Sequence, residues 1–248
     1  MTPIYVLTGV LAAGFAAIHV FGDRLQFLRT VPRSVWLSSA GGVSVAYVFV
    51  HLLPELAQHQ QEFTEAQRDG TLLQAAERHV YLLALLGLAA FYGLDRLART
   101  SARRRDPNGG RRASRRVFWI HLGAYAIYNL LIGYLLLHRE EDDVRGLAIY
   151  ACAMGLHFVV NDQGLREQHG EAYDRTGRWL LAAAPVVGWL AGIGVDVSAV
   201  AVSALFALLA GGVVLNVLKE ELPEDRESRF SAFAVGAALY AALLLGTQ

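Results

Sequence analysis

Six residues of this chain have side chains suited to holding or passing a cation, and they sit in apolar surroundings where such groups are costly. The stretch "FVHLLPEL" (49–56) places His51 and Glu55 one helical turn apart, with Pro54 between them. In "GLHFVVNDQG" (155–164), His157 and Asn161 are spaced to share a helix face, and Asp162 stands beside them. In "HLGAYAIYNLLIGY" (121–134), helical spacing puts His121, Tyr125, Tyr128 and Ile132 on one stripe, flanked by Asn129. An i, i+4 pair of imidazole and carboxylate or amide groups can share a metal ion or a proton. The plainer reading is that membrane histidines and asparagines bond one helix to another. For His51 and Glu55 it is that Pro54 ends a helix and both groups reach headgroup water.

The elements that position these residues are long apolar segments. Hydrophobic residues make up 54% of the 248, and the mean hydropathy is +0.36, too apolar for an ordinary soluble domain. About 20 mostly apolar residues cross a bilayer core, and eight segments qualify: roughly 3–21, 35–53, 79–98, 117–137, 144–163, 179–195, 198–218 and 230–246. The expectation is an all-α polytopic membrane protein of eight transmembrane helices, forming one membrane domain over 1–248. No basic residue precedes the first segment, which argues against a cleaved secretory signal. The single cysteine, Cys152, lies within the fifth and is expected to be a buried packing residue.

Charge sets the expected orientation. Of the 22 Lys and Arg residues, only Arg68, Arg78, Arg139 and Arg145 lie in or beside the loops after the second and fourth spans. The others gather in loops of opposite parity, above all "RLARTSARRRDPNGGRRASRR" (96–116). Lys and Arg accumulate on the cytoplasmic side, so both termini are expected outside the cytoplasm and a basic loop at about 97–116 inside it. That loop would meet anionic lipid headgroups; nucleic acid is not expected. The outer loops are acidic, as in "HREEDD" (138–143), and would concentrate cations or simply be the ends left when arginines stay inside. A second i, i+4 pair, His19 and Asp23, closes the first span, and Asn216 sits in the seventh. Gly41-Gly42, Gly188, Gly192 and Gly211-Gly212 are expected to let backbones approach, and Pro185 to kink the sixth span.

Eight spans with both ends outside, a long basic loop after the third, and "HLLPE" closing the second together resemble the ZIP (Zrt/Irt-like) divalent-metal transporters. The likeness covers most of the chain, including "AGGVSVAYVFVHLLPEL" in span two and "LFALLAGGVVLNVLKEELPE" (205–224) in span seven. It implies a transport site between spans four and five, built on His-Asn-x-x-Asp/Glu and His-Glu-x-x-Glu patterns. Here "YNLLI" keeps Asn129, while Tyr128 stands for the histidine and Ile132 for the carboxylate. "HFVVND" keeps His157, Phe158 and Asn161 replace acidic residues, and Asp162 lies one position beyond the expected one. A divalent ion leaving water needs anionic ligands to offset its charge, so the family's two-metal site is not expected.

The resemblance implies a permease for a divalent cation (zinc, iron or manganese, as cargo) or another small solute. Its candidate site residues are His157, Asn129, Asn161, Asp162, His51 and Glu55, with no resident cofactor. The alternative is a non-transporting protein of the same fold, acting as an interaction or regulatory module through its basic loop. An intramembrane hydrolase lacks its signals, since there is no HExxH, no GxSxG and no cysteine cluster; no enzyme is expected. The expected partners are the bilayer, a divalent cation, anionic headgroups, and a second copy of the chain as a homodimer.

Overall fold

The computed structural model describes residues 3–24, 35–65, 79–103, 114–138, 144–221 and 229–246. All regular structure among them is helical. The helices are α1 (Pro3–Phe21), α2 (Val35–Tyr47), α3 (Leu53–Glu65), α4 (Val80–Arg103), α5 (Arg115–Leu135), α6 (Val144–His169), α7 (Arg178–Gly194), α8 (Ala199–Glu221) and α9 (Phe230–Leu245). Single π-turns, Val48–Leu52 and Tyr173–Gly177, lead into α3 and α7. Many large apolar side chains point outward, among them Val6, Val10, Phe49, Leu85, Leu86 and Leu239. In water they would form patches beyond those soluble monomers tolerate; against acyl chains they cost nothing. The architecture is that of a multi-pass membrane protein.

Each expected span corresponds to a helix, and seven are long and apolar enough to cross a membrane. The eighth, Phe230–Leu245, has 16 residues and falls short of that length. Pro54 does not end its helix. It has no N–H to give Val50, and the Leu53 N–H reaches back five residues to the Val48 carbonyl, so the chain widens into a π-turn and continues to Glu65. The basic segment is also partly helical: α4 runs to Arg103 and α5 begins at Arg115, with Ser114 as its N-cap. The Ser114 N–H donates to Ser101 Oγ at 2.9 Å, tying the two ends. Residues 104–113 of that segment, and Arg139 to Asp143 of the acidic stretch, lie outside the described residues.

The chain gathers into two compact units. The first comprises Met1–Leu25 and Gly93–Asp196, and the second Gln26–Tyr92 and Val197–Gln248. In the first, α1 packs on α6 and α7, and α5 packs on α7. A Cβ added to Gly188 of α7 would lie 1.9 Å from the Leu130 carbonyl oxygen, and one added to Gly133 of α5 would lie 2.1 Å from that of Pro185. The indole N–H of Trp189 donates to Thr8 Oγ1 at 3.0 Å, fastening α7 to α1. In the second unit α2 lies against α9 and α8. Gly42 faces the Phe233 carbonyl and Gly236 that of Ser39, while Gly87 and Gly211 join α4 to α8 in the same manner.

Candidate functional site

The polar residues of α5 and α6 turn into the first unit because the outer faces of both helices are apolar. The stripe His121, Tyr125, Tyr128 and Ile132 is buried, and so are Asn129, His157, Asn161 and Asp162. Cys152, expected in the interior, is instead exposed. Tyr150, Ala153, Met154 and His157 occupy the inward face of α6, which leaves position 152 on the opposite one.

Two hydrogen-bonded chains run through this interior. In the first, Asn129 Nδ2 donates to His19 Nε2 at 2.9 Å, and His19 Nδ1 donates to Asp162 Oδ1 at 2.7 Å. The Tyr173 hydroxyl also donates to Asp162 Oδ1. With the Asn129 amide so placed, His19 Nε2 accepts and Nδ1 carries the ring proton that reaches Asp162. In the second chain, the Tyr128 hydroxyl lies 2.7 Å from His157 Nε2, and Asn161 Nδ2 lies 2.8 Å from the same nitrogen. A neutral Nε2 has one in-plane lone pair, so the two donors compete for it. Phe158 closes the gap between α1 and α6, its ring centroid 4.8 Å from that of His19 and 5.1 Å from that of Phe15.

The structure therefore places Asn129, His157, Asn161 and Asp162 in one buried region, with Asn129 reaching Asp162 through His19. His51 and Glu55 belong to the second unit and stand beside each other, Nε2 and Oε2 3.6 Å apart. The side chain of Asp23, expected to pair with His19, lies outside the described residues. Among the described residues, His19 pairs with Asp162.

Sequence reasoning passed over Tyr173, Arg166 and His169, and named His121 only as part of the stripe. Tyr173 comes from the π-turn beyond the expected end of span five. Arg166 lies one turn after Asp162; its Nε donates to Asp174 Oδ1 at 2.7 Å and its guanidinium lies 5.3 Å from the Tyr173 ring centroid. His121 and His169 meet with Nδ1 and Nε2 2.9 Å apart, against the edge of Phe118. The signal for the last pair was present: His121 begins the α5 stripe, and His169 lies seven residues after Asp162, close to two helical turns.

Two buried oxygens in this region, Asn161 Oδ1 and Asp162 Oδ2, have no hydrogen-bond partner. Unfulfilled acceptors in an apolar interior are expensive. No three His, Cys, Asp or Glu side chains among the described residues converge as a metal-holding group. No protein-family model and no curated protein matches the chain.

Proposed function

We propose that this chain is a membrane permease of ZIP-like architecture, moving a divalent cation or another small solute past Asp162, Asn161, Asn129 and His157. The observation that carries the reading is the pair of open acceptors, Asp162 Oδ2 and Asn161 Oδ1, on consecutive residues of a buried polar cluster. Helix association alone gives a buried carboxylate oxygen and amide oxygen without partners no role, whereas a passing solute would use both. The arginine distribution supports both termini outside the cytoplasm, with the basic segment against anionic headgroups.

The test is flux. Proteoliposomes containing the protein should take up zinc, iron, manganese or cobalt ions, or release a small uncharged solute, faster than empty vesicles. Asp162→Asn should lower that rate at least about tenfold, the effect of losing an interaction worth about 1.4 kcal/mol. Rates equal to those of empty vesicles for every solute would reject the permease.

One observation favours a second reading. Most of the cluster's hydrogen-bonding capacity is spent internally, since Tyr128 and Asn161 cover His157 while His19 and Tyr173 cover Asp162. That suits a non-transporting scaffold that presents its basic segment to a partner. Its mark would be unchanged partner binding in His157→Ala and Asp162→Ala with no flux in the wild type.

A further inference from the structure

We propose that the bond between His121 and His169 is a proton-sensitive latch joining the start of α5 to the end of α6. It holds while one proton lies between the facing nitrogens and parts when both rings are cationic. The latch stands independently of the permease reading.

Both rings are buried in the first unit, and His121 Nδ1 lies 2.9 Å from His169 Nε2. Each ring is set by an aromatic neighbour. Phe118 meets His169 edge to face with 5.2 Å between centroids, and Tyr125 meets His121 in the same way at 5.1 Å. Further along, α5 and α6 are bridged by Tyr128 with His157, and then by the Tyr150 hydroxyl, which donates to the Ile132 carbonyl. The histidine pair secures the remaining end of this seam. Gly170 follows it directly, left-handed at φ 54°, and a Cβ added there would have nothing within 4 Å. The chain is loosely packed where α6 ends, so that end has room to move.

Proton counting sets when the latch holds. A neutral imidazole has one N–H and one lone pair, so two of them make one bond between facing nitrogens. One added proton leaves an imidazolium donating to a neutral ring, and the bond becomes charge-assisted. A second leaves two donors, no acceptor, and like charges in contact. Only the parted form accommodates it. That form binds at least one proton more than the joined one, so acid favours it.

The carboxylates of the surrounding elements are already engaged or lie in water. On α4, Asp95 accepts from Arg99 at 2.8 Å and from Gln168 at 3.3 Å. Asp162 accepts from His19 of α1 and from Tyr173, while Asp174 is paired with Arg166 and Glu171 with Arg175. Glu167 of α6 is exposed. Arg115 and Arg116 open α5 and Arg178 opens α7, adding positive charge.

The experiment is pulsed electron paramagnetic resonance on the full chain in detergent. Spin labels are attached at Arg116→Cys and Glu167→Cys, both exposed positions, with Cys152→Ser removing the native thiol. As the pH falls from about 8 to about 4.5, across the ordinary histidine range, a second and longer distance should appear. Its ratio to the first should grow at least about tenfold per pH unit, with helix content by circular dichroism unchanged. His121→Gln and His169→Gln should each abolish the response, because an amide supplies donor and acceptor without taking charge. A single distance constant over that range would overturn the latch with no variant needed. A response that survives in either Gln variant would place the titrating group elsewhere and overturn it too. Loss of helix in step with the distance change would replace the latch by acid unfolding.

Discussion

The orientation of Asp162 depends on an atom that is absent. Tyr173 reaches the carboxylate only because its ring lies where a side chain at position 177 would begin; a Cβ on Gly177 would fall 2.6 Å from Tyr173 Cδ2. Gly177→Ala should displace the ring, break the bond to Asp162 and cost about 1–3 kcal/mol in detergent unfolding. In a Tyr173→Ala background the clash is gone. The same Gly177→Ala should then be neutral or stabilising by up to about 1 kcal/mol, from helix propensity alone. That change of sign, read from denaturation midpoints of the four proteins, checks the contact. A loss of equal size in both backgrounds would contradict it.

At the level of elements, the π-turn before α3 follows from one imino acid. Pro54→Ala restores an N–H that can bond Val50, so the turn over Val48–Leu52 should tighten to α geometry and amide exchange across 48–54 should slow, by about tenfold for a bond worth about 1.4 kcal/mol. Mass-spectrometric exchange on the purified protein measures this; unchanged rates would show that the widening has another cause. The same turn shows where sequence reading ends. Hydropathy located the long apolar helices, because lipid demands a long apolar surface whatever packs behind it, but not the polar continuation Leu53–Glu65, which reads as a loop. Periodicity found the buried stripe of α5 and the His157–Asn161 pair, because it reports which face a residue occupies. It does not report partners. His19 and Asp162 are separated by 143 positions, and only the packing of α1 on α6 joins them. Tyr173 was missed for a related reason: it sits in a polar stretch, "HGEAYDRTG", whose composition reads as a connection although the chain stays helical through the π-turn. The inward placement of Cys152 failed because membrane helices bury polar faces as readily as apolar ones, and a thiol suits lipid well.

Across the whole molecule, close helix contacts rest on glycines set face to face: Gly133 with Gly188 in the first unit, Gly42 with Gly236 and Gly87 with Gly211 in the second. With no difference in apolarity between lipid and protein to drive association, helices in a bilayer gain from proximity, and a missing Cβ provides it. Gly188→Ala should cost at least about 2 kcal/mol, since it meets backbone that cannot rotate away. Gly123→Ala on α5 has nothing within 4 Å and should be neutral or raise stability by up to about 1 kcal/mol. Unfolding in detergent distinguishes the two, and equal effects would refute the contact.

These crossings also constrain the routes open to mutation. An oversized residue in an ordinary core can be rescued by shrinking its neighbour. Here each side of the crossing already carries the smallest residue, and what a new methyl would strike is a main-chain carbonyl. No second-site change at the opposing position can make room, so suppressors of Gly188→Ala should be absent at Gly133 and arise, if anywhere, where they let a whole helix shift.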